Sequence, residues 1–361
     1  MRFFCLIAFL LTASAAQAQT KDQGDEFAEF GTFLEEFRQE NRTRSLSAVI
    51  VKDGEIVWEG YYGTYDDEGD LPTTADTTYS VASVTKPIAA TAIIAESLAG
   101  GLDLNLPMRA DDGWDEICEW LSASQIPFGG GGEDDAGNPI APMDCGAETT
   151  LANMLDMRAN GDGFVYNPIA FARIDRAILG AGGRDLRAIV RDRVAEPAGM
   201  RNVALGWHDP EEGDALRYLA PPFALVEGRS VKQAISDDDF RASAGIKASP
   251  RTIAAFDIAY DRNVLVPASV RRHGTEGAAP GPFGDYRNGW FVEDWNGKRL
   301  LWHSGWDPER YSALYLKVPE DRLTLIVFAN SEAIWWDNSP VEAEVVESPI
   351  ARRFLATFAK D

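Results

Sequence analysis

The sequence predicts an α+β chain in which an antiparallel sheet built from both chain ends is flanked by helices, as an α/β sandwich, and a helical subdomain is inserted between the ends. Three observations predict it. Near the start, residues 47–51 and 56–58 are β-branched and aromatic-rich runs on either side of the turn pair Asp53-Gly54, which reads as a hairpin. Near the end, residues 288–293, 298–303, 311–318 and 323–328 alternate with turn signals at Asn296-Gly297 and Pro319-Glu320-Asp321, which reads as an antiparallel meander. Between them, residues 85–285 are mostly helical or irregular, broken by Pro and Gly and without an internal repeat. Two helices complete the sheet's cover. Phe27, Phe30, Leu34 and Phe37 recur at helical spacing within residues 25–40, and residues 341–358 close the chain as a helix.

With 361 residues, 45% of them hydrophobic, the chain has enough apolar material for a large core. Met1-Arg2, the apolar run 3–11 and the small-x-small triplet Ala16-Gln17-Ala18 form an export signal cut after Ala18, so the mature protein is expected in the periplasm or secreted. That leaves one catalytic domain, 19–361, with a sheet part at about 25–82 and 286–361 and a helical part at about 83–285. No apolar run reaches the roughly 18 residues of a membrane span, so none is expected. Cys5 falls in the leader. Cys118 and Cys145 remain, and an oxidising compartment favours their pairing without the sequence deciding it. Three histidines, none at metal-ligand spacing, predict neither metal nor cofactor. The acidic glycine-rich stretch 128–138 lacks the Gly-Lys-Ser/Thr ending of a phosphate loop and reads as a surface loop. A net charge of −23 repels phosphate backbones and argues against nucleic acid as a partner. Oligomeric state is not legible.

The chemistry is carried by Ser83 and Lys86, three residues apart where a helix begins ahead of the apolar run 88–94. Three residues is nearly one turn, so both side chains share a face. A serine hydroxyl needs a base within hydrogen-bond reach, and a lysine serves only if burial depresses its pKa, which the apolar flank supplies. Ser80 has no lysine three residues on, since that position is Ser83.

These surroundings resemble the serine β-lactamase and penicillin-binding protein superfamily, in particular its class C and esterase branch. The resemblance runs in order through residues 51–57, 73–86, 101–104, 151–158, 163–168, 196–200, 243–249 and 303–306. It implies a β-lactamase/transpeptidase-like fold with the site between sheet and helical subdomain. Tyr166 matches the tyrosine of the family's Tyr-x-Asn motif and, by resemblance, shuttles protons, whereas Pro168 stands where the asparagine belongs, leaving Asn167 as a substitute. His303-Ser304-Gly305-Trp306 stands at the third motif, with histidine in place of the lysine that many members carry. Histidine is mostly neutral above pH ~6.5, so the site is expected to hold β-lactam carboxylates weakly and to suit esters or neutral amides. The backbone N–H groups of Ser83 and Trp306 are the oxyanion donors that the resemblance implies.

The sequence thus predicts a hydrolase with Ser83, Lys86 and Tyr166 catalytic and Asn167, His303, Ser304, Gly305 and Trp306 binding a small ester, amide or peptide. Two further readings stay open: a β-lactamase or D-alanyl-D-alanine carboxypeptidase-type enzyme, and a non-catalytic binding or sensor protein that keeps the fold. A Ser-His-Asp triad through His303 is a rival for the base, with no G-x-S-x-G elbow to support it.

Overall fold

The computed structural model describes residues 8–359, apart from residues 67, 125, 127, 128, 130, 135 and 237; side chains are described from residue 24 on, that of His273 excepted. Residues 1–7 of the expected leader therefore lie outside the described residues. Seven strands form one antiparallel sheet: β1 (Ser45–Lys52), β2 (Glu55–Gly63), β3 (Asp285–Arg287), β4 (Trp290–Trp295), β5 (Lys298–Asp307), β6 (Tyr311–Val318) and β7 (Leu323–Ala329). Their order is β3-β4-β5-β6-β7-β1-β2, so the two chain ends meet where β1 pairs with β7, from Leu46↔Ala329 to Lys52↔Leu323.

Period-two alternation decides what each face meets. On one face α1 (Ala8–Glu40) packs beside α4 (Pro349–Phe358): Phe27 and Phe30 meet Trp58 of β2, and Phe354 and Phe358 pack against those two phenylalanines. On the other face lie α2 (Thr85–Leu98) and α3 (Pro250–Asp261). Asp257 of α3 is fully buried against β6 and β7, accepting hydrogen bonds from Tyr315, Lys317 and Thr324. All three bonds fall on Oδ1 while the buried Oδ2 has no partner among the described residues, so burial raises this carboxyl's pKa even beside Lys317. Helix α2 buries nearly its whole surface, because its apolar residues continue round the cylinder.

Three expectations are corrected. The closing helix does not span residues 341–358: it starts at Pro349, where Ser348 caps it by accepting from the Ala351 N–H, and proline occupies the first turn that needs no donor. Strand β3 extends the meander by one short strand. The inserted region also holds strand pairs that the helical reading omits, the three-stranded sheet of Tyr79–Ser80, Ile246–Ala248 and Ala204–Leu205, and the hairpin Phe223–Val226 with Arg229–Lys232. Cys118 and Cys145 are bridged, with Cα atoms 5.7 Å apart. Among the described residues no helix is long and apolar enough to cross a membrane.

Candidate active site

The nucleophile position is built by three short pieces of backbone. The strand Tyr79–Ser80 pairs with Ile246–Ala248, and the Val81 N–H donates to the Ile246 carbonyl at 3.0 Å, which clamps the segment just before Ser83. Ala82 then sits at φ 46°, in the left-handed region that side-chain-bearing residues avoid. Ser83 follows in a single 3₁₀ turn and α2 begins at Thr85, so Lys86 comes back over Ser83 at the helix start.

Lys86 Nζ lies 2.8 Å from Ser83 Oγ and donates to the Ser243 carbonyl at 3.0 Å. The lysine is fully buried, and no carboxylate pairs with it among the described residues. Burial alone therefore drives its pKa well below the ordinary lysine value. The amine sits over the rings of Tyr166, at 4.9 Å, and Phe171, at 5.7 Å, whose π faces favour an ammonium once a proton arrives. Tyr166 is partly exposed and its main-chain N–H is anchored on the Pro340 carbonyl at 2.6 Å. Burial raises its phenol well above the usual range, and a hydrogen bond with Ser83 offsets part of that rise. Ser83, Lys86 and Tyr166 thus converge.

The third stretch behaves differently from its expectation, and strand alternation is the reason. On β5, Trp302, Ser304 and Trp306 point to the face covered by residues 332–338: Trp302 meets Trp336, Ser304 Oγ donates to Asn338 Oδ1 at 2.7 Å, and Trp306 stacks on Trp335 at 4.0 Å. His303 and Gly305 point the other way, toward the nucleophile turn. His303 is completely buried, 5.6 Å from the Tyr166 ring and 5.4 Å from Phe291. Its Nδ1 is 2.6 Å from the Ser304 carbonyl and its Nε2 3.0 Å from the Tyr286 hydroxyl. A carbonyl only accepts, so Nδ1 carries the proton and Nε2 accepts from Tyr286. Burial, and then the nearby Lys86, push its pKa well below the ordinary histidine value. The ring is neutral with both nitrogens engaged. It packs against the Tyr166 ring and does not line the cleft, and it has no free nitrogen with which to serve Ser83 as a base.

Asn167 is likewise redirected. It is buried, and its Oδ1 caps the short helix Pro168–Phe171 by accepting from the Ala170 N–H at 2.9 Å, which leaves Pro168 facing the cleft. Ser304 is buried on Asn338 and does not line the cleft. Gly305 serves by what it lacks: a Cβ there would drive into the Val81 carbonyl oxygen, two residues before Ser83. Gly305→Ala is expected to push β5 off the nucleophile turn and lower kcat/KM by about 10²-fold, since a displacement of roughly 1 Å misaligns reacting groups. Steady-state kinetics on an aryl ester, beside the melting temperature, checks it. Of the binding residues expected from sequence, Trp306 alone lines the main cleft, a cavity of about 480 Å³ bounded also by Ala82, which precedes Ser83, and by Ser243, whose carbonyl holds Lys86. The supporting groups Phe171 and Tyr286 carried no sequence signal, and Ser243, though it opens the matching stretch 243–249, gave no sign of its role, because a carbonyl acceptor or a packing ring belongs to no spacing pattern.

Beyond Trp302 the β4-side edge of β5 has no strand partner, for β4 pairs with β5 only from Trp295↔Lys298 to Phe291↔Trp302. The nucleophile turn packs over the face of β5 and β6 there, with the Val81 carbonyl against Gly305. Residues 30–335, which carry this serine, buried lysine and tyrosine, match the model of the Beta-lactamase family. The chain belongs to that family. Esterase EstB of Burkholderia gladioli is 26% identical over 270 residues, covering 59% of this chain and 68% of that protein. The octameric penicillin-binding protein homologue from Pyrococcus abyssi superposes with a TM-score of 0.69 at 19% identity, over 92% of this chain and 78% of that one. The D-amino acid amidase from Ochrobactrum anthropi does so with a TM-score of 0.64 at 16% identity, over 93% and 99%. At such identities the two structures establish the family's α+β fold.

Proposed function

We propose that this member of the Beta-lactamase family is an exported serine hydrolase that opens a small ester or amide through an acyl-enzyme on Ser83. The observation that carries the reading is a buried amine 2.8 Å from a hydroxyl with no carboxylate to keep the amine charged. In the first step Ser83 Oγ bonds to the substrate carbonyl carbon while its proton passes to the lone pair of Lys86, whose new charge rests on the ring faces of Tyr166 and Phe171. The carbonyl oxygen becomes an oxyanion facing the backbone N–H groups of Ser83 and Trp306. As the carbonyl–leaving-group bond breaks, Tyr166 gives the leaving group a proton and recovers one from Lys86; water then repeats the sequence on the acyl-enzyme. A lysine pulled low and a tyrosine pushed high are a base and an acid whose environments have separated their roles. Kinship with an esterase supports the ester reading, and the Cys118–Cys145 bridge supports an oxidising, exported location.

The neutral, fully enclosed His303 supplies no fixed positive charge for a β-lactam or peptide carboxylate, which disfavours the peptidase and β-lactamase reading. A fluorophosphonate is expected to add covalently to the peptide containing Ser83, read by mass spectrometry, and an aryl ester to turn over at least 10²-fold faster than a chromogenic cephalosporin. An adduct on any other residue would overturn the assignment, and an acyl adduct that forms on Ser83 but never releases would favour a sensor.

A further inference from the structure

We propose that the cleft beside Ser83 selects substrates that carry an ammonium group, so that the ester or amide hydrolysed is amine-bearing; this rests on the serine-hydrolase reading above. The walls of the 480 Å³ cavity are apolar at Pro168, Ile169 and Ala172, and they also include Asp238, Asp307 and Trp306. Trp306 lies with its ring on Trp335 and its Nε1 donating to Glu332 at 2.6 Å, so its orientation is set from outside the cavity. It nevertheless keeps 40% exposure and lines the space. An anchored indole beside carboxylates is the chemistry that holds an ammonium, through the ring quadrupole and direct charge.

Two cations, Lys247 and Arg241, also line this space, and a third, Arg310, stands beside it. Lys247 is buried and its Nζ donates to the backbone carbonyls of Asp238, at 3.2 Å, and Gly245, at 3.1 Å. Burial lowers its pKa, although Asp238, Asp307 and Asp239 all favour its charge. Arg310 reaches Asp307 at 3.5 Å while its guanidinium also serves the Ala234 and Pro308 carbonyls. Arg241 is exposed and lines the cavity, and its guanidinium makes no hydrogen bond or ion pair among the described residues. Asp239 is paired with Arg187. The Asp238 carboxylate makes no hydrogen bond or ion pair among the described residues, and burial raises the pKa of Asp307 despite Arg310. An incoming ammonium therefore finds, beside the anchored indole, a carboxylate at Asp238 that the protein leaves unpaired, an attraction that a neutral group of the same shape cannot use. The overall charge of −23 acts in the same sense at longer range.

The test pairs isosteres. Choline and its neutral carbon analogue 3,3-dimethylbutan-1-ol are titrated into the Ser83→Ala protein by calorimetry, and their acetate esters, with the p-nitrophenyl esters of 6-aminohexanoate and hexanoate, are compared as substrates of the unaltered enzyme. Choline is expected to bind at least about tenfold more tightly than the alcohol, and an ammonium-bearing ester to exceed its neutral twin in kcat/KM by a similar factor that shrinks as salt is raised. In the Asp307→Asn and Asp238→Asn double variant both ratios are expected to fall toward one. Choline binding that is undetectable or no tighter than that of the alcohol, or a preference that survives the double variant, overturns the proposal. Esters turned over without any ammonium preference sink it alone, whereas selective choline binding by a protein that hydrolyses nothing sinks the hydrolase reading alone.

Discussion

Replacing Ser83 by alanine is expected to lower kcat for an aryl ester by about 10⁴-fold or more and to abolish labelling by a fluorophosphonate. The change removes one oxygen from a partly exposed side chain in a 3₁₀ turn whose backbone is held by the Val81–Ile246 hydrogen bond and by the start of α2. The turn survives without the hydroxyl, so the melting temperature should move little. The residual rate would come from groups that still orient the carbonyl, as in other enzymes whose nucleophile and base act as a unit. Circular dichroism and single-turnover kinetics together separate lost chemistry from lost folding. Full activity in Ser83→Ala would falsify the assignment.

Lys86→Met is expected to cost activity nearly as much, about 10³–10⁴-fold, and to stabilise the fold at the same time. The native state buries residue 86 completely, so it binds a proton there far less readily than the unfolded chain does. Between the lowered native pKa and the ordinary lysine value near ~10.4, the unfolded chain carries a proton on this residue that the native state lacks. Stability then rises with pH across that window and falls away as pH drops through it. Methionine packs in the same apolar space with nothing to protonate, so that part of the slope disappears and the variant melts higher at neutral pH. In the unaltered enzyme kcat/KM should fall on the acid side as Lys86 takes up its proton. Thermal melts over a pH series and the kcat/KM profile read the two effects independently. A variant that melts lower than the parent at neutral pH would show the lysine to be charged in the native state.

Much of the scaffold could be read directly. The hairpin, the meander and the amphipathic first helix are local patterns, in which turn pairs and alternation act within a few residues, and they fall at β1–β2, β4–β7 and α1. The closing helix was placed too early because residues 341–344 have helical composition, yet Ser348 and Pro349 make a stronger start signal. The two-residue strands of the inserted region have too little sequence to announce themselves, since their pairing with one another is what makes them strands.

The candidate site divides along the same line. Ser83 and Lys86 were legible because helical periodicity alone puts positions three apart on one face, and the apolar flank foretells burial. The adjoining fates of Asn167 and His303 were not, although each stands at or beside a family motif. Which way a side chain on β5 points depends on strand register, and whether an asparagine faces a cleft or caps a helix depends on where the helix begins. Order along the chain sufficed for the fold's outline and for the nucleophile with its base. The neutral, enclosed state of His303, the carbonyl of Ser243 on Lys86 and the carboxylates around Trp306 arise only when separate segments of the chain close on one another, because desolvation and hydrogen-bond partnership are properties of the packed interior.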